Sequence, residues 1–289
     1  MLQPQEQIPL GPKTTMKIGG KARFYAELQS KEDCEQAYVF AKERKLPLIV
    51  LGAGSNTIFA DGTIEALVVR LQAEAVHIEG NTITVESGKN LPMLLNELAE
   101  QNLDLSPLTG IPGTIGGAIF GNAGQGFGGT WISAYVKAVE AFIGGEWQTF
   151  SKDGLHFDYR FSAFKEMGAT IIWSVTLEVP SRPAEEIKAD IERLLQKRIE
   201  TQPHVKTAGS CFLSLSKETP AWKVIDTAGL RGRKEGTVSV SEKHANFLIS
   251  EKGATFADAA ALVKTIREKV PAELQVEMRF VQTDGTPLF

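Results

Sequence analysis

The chain has 289 residues, 43% hydrophobic and 23% charged, the make-up of an ordinary globular protein with one large or two smaller domains. A net charge of −4, with no basic run of five residues, gives no ground for a nucleic-acid partner or an anionic membrane. Two cysteines and four histidines without paired spacing exclude a disulfide framework and a zinc signature, so no metal is expected. The first residues lack the basic and apolar regions of a signal peptide, and no apolar run is long enough to span a bilayer, so a cytoplasmic protein is expected.

In chain order, Ser30 reads as the N-cap of a helix whose apolar face is Cys34, Ala37, Tyr38 and Ala41. Pro47 precedes a short strand, Leu48 to Leu51, which feeds the glycine-rich stretch Gly52-Ala53-Gly54-Ser55-Asn56-Thr57. Leu67 to Val69 reads as a strand, and Gly80-Asn81 as the turn of a hairpin. Leu91, Leu94, Leu95 and Leu98 mark a second amphipathic helix. A second glycine-rich stretch follows, Gly110-Ile111-Pro112-Gly113-Thr114-Ile115-Gly116-Gly117-Ala118, and runs on to Asn122-Ala123-Gly124. Like the first, it is expected to be a loop after a strand. Gly144-Gly145 marks another hairpin, and Ile171 to Val179 a long strand.

Around Pro180-Ser181-Arg182-Pro183 the pattern changes, and a soft domain boundary falls in 180–200. Ile187, Ile191, Leu194 and Leu195 predict a helix. Two more are predicted, from Ala221 to a stop at Gly229 and from Thr255 with Ala259, Leu262, Val263 and Ile266 inward. Phe247 to Ile249 and Leu274 to Val281 read as strands. In the latter, alternation puts Glu277 and Arg279 on the face opposite Leu274, Val276, Met278 and Phe280.

The first glycine stretch is not a Rossmann fingerprint, because Thr57 stands where the third glycine belongs, and no Walker A sequence is present. Successive N–H groups in glycine-rich loops form anion-binding concavities. Two such loops in one chain suggest a diphosphate held between them, and so a dinucleotide-type cofactor. Taken singly, Arg160, Ser210, His244 and Glu277 read as solvated or structural residues.

Together and in order, these segments resemble the UDP-N-acetylenolpyruvoylglucosamine reductases, the MurB family of peptidoglycan synthesis. The likeness rests on the two glycine stretches, Asn122-Ala123-Gly124, Tyr159-Arg160, Gly209-Ser210-x-Phe212, Ala228-Gly229-Leu230-x-Gly232 and Val240-Ser241-Glu242-Lys243-His244-Ala245-Asn246-Phe247. It implies an α+β chain with a two-lobed FAD-binding domain of the vanillyl-alcohol-oxidase type over 1–190 and a smaller substrate-binding domain over 191–289. It also implies non-covalent FAD, with NADPH and a UDP-linked enolpyruvyl sugar as substrates. Gly52, Ala53, Gly54, Ser55, Asn56, Thr57, Gly110, Ile111, Pro112, Gly113, Gly116, Gly117, Asn122, Ala123 and Gly124 would contact the cofactor. Tyr159, Arg160, Ser210 and Glu277 would contact substrate, the last three as catalytic arginine, proton-donating serine and catalytic glutamate. The short interval from Arg160 to Ser210 matches the type II class, which lacks an added tyrosine-bearing loop. The sequence departs from the family at Leu213-Ser214-Leu215, where a basic residue and Asn-Pro are usual, and at Gln125-Gly126-Phe127. The alternative reading is another FAD-dependent oxidoreductase of the same cofactor fold.

Overall fold

The computed structural model describes residues 2–126, 129–271 and 273–289. Phe127, in the second departing run, lies outside them. The chain runs β1 (Gln5–Pro9), β2 (Lys21–Leu28), α1 (Lys31–Glu43), β3 (Leu48–Val50), β4 (Thr57–Phe59), β5 (Thr63–Leu71), β6 (Val76–Glu79) and β7 (Thr82–Glu86). It continues through α2 (Leu91–Glu100), α3 (Ile115–Phe120), β8 (Val136–Ile143), β9 (Glu146–Ser151), β10 (Thr170–Glu178), α4 (Ala184–Thr201) and β11 (Thr207–Ser210). The last elements are α5 (Ala221–Thr227), β12 (Lys234–Glu235), β13 (Val238–Val240), β14 (Phe247–Ser250), α6 (Phe256–Lys269) and β15 (Arg279–Val281).

Two compact units emerge, and neither is one continuous stretch of chain. The first comprises residues 1–4, 26–53 and 67–198; the second comprises 5–25, 54–66 and 199–289. In the first unit, an antiparallel sheet runs β6-β7-β10-β8-β9. The leucines of α2 supply much of its core. Leu91, Leu94, Leu95 and Leu98 are buried with Val85, Val139, Val175 and Leu177 of the sheet and with Ile115 and Ile119 of α3. Asn90 caps α2 by accepting from the Met93 amide at 3.1 Å. In α1, Ser30 Oγ accepts from the Asp33 amide and the Asp33 carboxylate accepts from the Ser30 amide, a reciprocal capping box. The parallel pair β3–β5 lies in register from Leu48↔Leu67 to Val50↔Val69.

In the second unit, the antiparallel sheet β11-β14-β13-β12 shares a core with α5 and α6. Ala259, Leu262, Val263 and Ile266 of α6 are fully buried, as their spacing predicts, behind a Thr255–Asp258 capping box. β15 pairs in parallel with β4, from Arg279↔Thr57 to Val281↔Phe59.

Three sequence expectations need correction. The second glycine stretch follows a 3₁₀ turn, Ser106–Leu108, and part of it is helical, as α3. Glycine's poor helix propensity hides such a helix from pattern reading. The strand expected over Leu274 to Val281 is ordered as strand only at Arg279–Val281; before it, Val276 makes one isolated bridge to Phe212. Finally, α4 forms where the periodicity predicts, but only Ile187 of its apolar positions is buried, and Leu195 is 44% exposed. Ion pairs tie it down instead: Arg182 to Asp104 at 2.6 Å and to Asp190 at 3.0 Å, and Lys188 to Glu100 at 3.0 Å.

The faces of α2 differ sharply between adjacent residues, Leu94 being fully buried and Met93 55% exposed. Leu94→Ala is expected to lower stability by about 2–5 kcal/mol. Met93→Ala should stay within about 0.5 kcal/mol of the parent. Urea unfolding of the two variants checks the assignment; equal losses would contradict it.

Candidate active-site elements

In the first unit, the two glycine stretches meet. A Cβ on Gly52 would lie 2.8 Å from Oγ1 of Thr114, so the absent side chain is what lets these backbones approach. Thr114 is also the N-cap of α3, accepting from the Gly117 amide at 3.3 Å. Ala53 is half-buried beside Gly52, Ile111 is buried, and Gly113 O accepts from the Leu91 amide at 3.0 Å. Gly116 packs on Ser87, where a Cβ would come within 2.9 Å of the serine Cβ. Gly117 is different. A Cβ there would meet only Thr114 Oγ1, at an ordinary 3.5 Å. Among the described residues no packing demands glycine at 117, and the space beside it is open. Two hydroxyls near these stretches, Ser87 Oγ and Thr109 Oγ1, are buried and have no hydrogen-bond partner among the described residues. A polar ligand in this region is consistent with that.

Asn122, Ala123 and Gly124 do something the motif does not announce. They seat Arg160. Asn122 is fully buried; its Nδ2 donates to Asp158 O at 2.8 Å and its Oδ1 accepts from the Ser133 amide at 3.3 Å. Asp158 and Phe161 exchange backbone hydrogen bonds, with Tyr159 and Arg160 as the turn between them. Arg160 adopts a left-handed backbone, φ 55°, a costly conformation for a long side chain and one that clusters at functional sites. Its Nη2 donates to Gly124 O at 2.8 Å and its Nη1 to Asn122 O at 3.5 Å. Lys165 Nζ holds the Arg160 carbonyl at 2.7 Å. Tyr159 packs against Trp131, ring centroids 6.0 Å apart.

In the second unit, Gly54 has φ 69°, and a Cβ on it would sit 2.3 Å from Lys13 O. Its carbonyl accepts from the Thr15 amide and hydroxyl at 3.0 and 3.2 Å. Ser55 follows, and Thr57 opens β4. Asn56 clamps the segment that carries Glu277: its Nδ2 donates to Glu277 O at 3.1 Å, and its carbonyl accepts from the Arg279 amide at 2.9 Å.

Ser210 ends β11 after a bulge. Thr207 pairs with Ile249 and Ser210 with Phe247, so β11 carries one residue more than its partner, and Gly209 absorbs the excess at φ 77°. Glu277 and Met278 both donate their amides to Cys211 O, at 2.8 and 3.3 Å. The segment around Glu277 is thereby stitched to the residue next to Ser210. The half-buried Ser210 hydroxyl makes no hydrogen bond among the described residues. Burial pushes the Cys211 thiol up, and the neighbouring Glu277 carboxylate adds to that rise. The departing run has a structural use: Ser214 Oγ accepts from the Ala221 amide at 3.1 Å, the first residue of α5.

Sequence reasoning missed Thr114 and Asp158, which support the two glycine stretches and the Arg160 turn. Only Thr114 carries a local signal, a threonine three residues before a free amide at a helix start. Among the described residues there is no cluster of three or more potential metal ligands, and no helix long and apolar enough to cross a membrane.

Residues 22–146 match a family model described as an FAD binding domain, and residues 201–280 match the C-terminal domain of UDP-N-acetylenolpyruvoylglucosamine reductase. These matches, with the paired glycine stretches, define a flavoprotein oxidoreductase. The chain is 34% identical over 268 residues to the UDP-N-acetylenolpyruvoylglucosamine reductase of Thermotoga maritima, covering 92% of this chain and 93% of that one. It is 35% identical over 294 residues to the enzyme of the same name from Aquifex aeolicus, covering 97% and 96%. The crystal structure of the Thermus caldophilus UDP-N-acetylenolpyruvylglucosamine reductase superposes with a TM-score of 0.85 at 30% identity, over 97% of this chain and 99% of that one. The chain belongs to the UDP-N-acetylenolpyruvoylglucosamine reductase family, the oxidoreductases of peptidoglycan synthesis.

Asn122→Ala removes the bonds to Asp158 O and the Ser133 amide. It is expected to destabilise the protein by about 1–3 kcal/mol, measured by urea unfolding. A variant as stable as the parent would show that the Arg160 turn is held by something else.

Proposed function

We propose that this chain reduces the enolpyruvyl group of UDP-N-acetylglucosamine enolpyruvate to UDP-N-acetylmuramate, in the cytoplasm, as a type II member of its family. NADPH is the reductant and FAD the non-covalent cofactor. Residues 1–190 serve FAD and 191–289 the sugar nucleotide. The observation that carries this reading is the stitching of Glu277 to Cys211, which brings the family's serine and glutamate positions side by side.

Gly52, Gly116, Gly117 and their neighbours would hold FAD, with the open space beside Gly117 leaving the room. When bound there, FAD would supply the hydride-transfer chemistry that links NADPH oxidation to reduction of the enolpyruvyl double bond. The adjacent carbon of the substrate then carries negative charge, delocalised into its carboxylate. Arg160 meets that carboxylate with a fixed cation and planar donors, already oriented by the carbonyls of Asn122 and Gly124. Ser210 donates the proton to the carbon next to the carboxylate. A hydroxyl is a weak acid, so this works only against a strongly basic enolate in contact with it. Glu277 orients the network around that transfer. Tyr159 contacts the substrate beside Arg160.

Two outcomes test the reading. Gly117→Ala relieves a helical glycine, so the fold should be kept or strengthened by up to about 1 kcal/mol, while FAD titrated into deflavinated protein binds far more weakly. Unchanged affinity would remove the second stretch from the cofactor site. Ser210→Ala should leave reduction of the flavin by NADPH nearly normal and slow its reoxidation by the enolpyruvyl sugar by about 10²–10⁴-fold, with Ser210→Cys retaining more activity. Stopped-flow measurement separates the half-reactions; a defect confined to the NADPH step would sink the assignment.

A further inference from the structure

The run Val240-Ser241-Glu242-Lys243-His244-Ala245-Asn246-Phe247 carries part of the family likeness, yet no step of the reaction draws on it. In the second unit it forms a closed turn. The Ser241 amide donates to Phe247 O at 2.8 Å, and Ser241 Oγ accepts from the amides of Lys243 and His244 at 3.1 and 3.3 Å. The Asn246 amide donates to His244 Nδ1 at 3.3 Å. The Asn246 side chain, only 4% exposed, leaves this turn for the chain just past Ser210. Its Oδ1 accepts from the Phe212 amide at 3.0 Å, and its Nδ2 donates to the Phe212 carbonyl at 2.8 Å. Its backbone carbonyl accepts from the Cys211 amide at 2.8 Å.

β11 pairs with β14 as far as Ser210 and ends there. Phe212 is 1% exposed, so main-chain groups left bare on that edge would be costly. A carboxamide offers both a donor and an acceptor, and Asn246 uses them to continue the ladder with its side chain. A flipped amide would set donor against donor, so the two bonds fix its orientation. The opposite edge is closed by main chain. Phe212 bridges Val276, the Leu213 amide donates to Gln275 O at 2.9 Å, and Cys211 O accepts from the Glu277 amide at 2.8 Å. The two residues that follow Ser210 are thus gripped on both sides, by the Glu277 run and by Asn246. The grip on Phe212 from the Asn246 side is made by a side chain, and a substitution removes it.

We propose that Asn246 is a positioning residue for the proton transfer, fixing the peptides after Ser210 and through them the placement of the Ser210 hydroxyl. The inference rests on the proton-donor role proposed for Ser210 above. A hydroxyl is a weak acid that must sit against the enolate, and a displacement of about 1 Å costs about 10²-fold in rate. The plainer alternative is a buried amide that stabilises the second unit and leaves the chemistry alone.

The test is stopped-flow measurement of both half-reactions in FAD-loaded Asn246→Ala, alone and combined with Ser210→Ala, with urea unfolding of each variant. Asn246→Ala is expected to leave flavin reduction by NADPH close to the parental rate and to slow reoxidation by saturating enolpyruvyl sugar by about tenfold or more. In the Ser210→Ala background the same substitution should barely change reoxidation, because residues that act as one unit are not additive, while its loss of stability persists in full. Parental reoxidation in Asn246→Ala, equal slowing of both half-reactions, or an undiminished further loss on top of Ser210→Ala overturns the proposal. If Asn246→Ala does not fold, Asn246→Asp takes its place, keeping the acceptor for the Phe212 amide and losing the donor to its carbonyl, and the same outcomes decide. A parental reoxidation rate in Ser210→Ala alone would instead overturn the underlying functional reading.

Discussion

One backbone oxygen organises the second unit. The carbonyl of Cys211 accepts from the amides of both Glu277 and Met278. An oxygen that takes two donors bends the donating chain, which is why the extended run before β15 is not a continuous strand. From the other side Asn56 grips the same run, through Glu277 O and the Arg279 amide. The backbone of Glu277 is therefore held on both flanks. Such support from rigid neighbours is what the proposed role of Glu277 requires.

The first unit solves a comparable problem with strain. Arg160 sits in the left-handed region, and the structure that keeps it there is a fully buried asparagine. The cost of the backbone and the cost of burying Asn122 are both met by hydrogen bonds that leave the guanidinium facing in one direction. Position 160 and the Asn122-Ala123-Gly124 segment are thus one device, although nearly forty positions separate them in the chain.

Much of this was legible beforehand, for identifiable reasons. α1, α2 and α6 combine a capping residue with unbroken 3.6-residue periodicity, and both hairpins announce themselves with glycine turns. Regularity failed where glycine was used for approach instead of turning: α3 contains Gly116 and Gly117, and no propensity scale finds a helix there. β1, β2 and β4 escape pattern reading too: β1 is mostly exposed, β2 alternates only in part, and β4 is three residues long with its partner β15 at the far end of the chain. The motifs single out Ser210, Glu277 and Arg160 for the proposed site, but the roles of Asn56 and Asn122 are long-range hydrogen bonds that no local pattern encodes.

Each unit also encloses one free thiol, Cys34 in the first and Cys211 in the second, both fully buried. Burial holds both thiols in the protonated form, where they are poor nucleophiles. An alkylating reagent in solution therefore reacts only with molecules whose surrounding structure has come apart. The two cysteines are built-in clocks, one ticking with the opening of α1, the other with the opening of the strand end that carries Ser210.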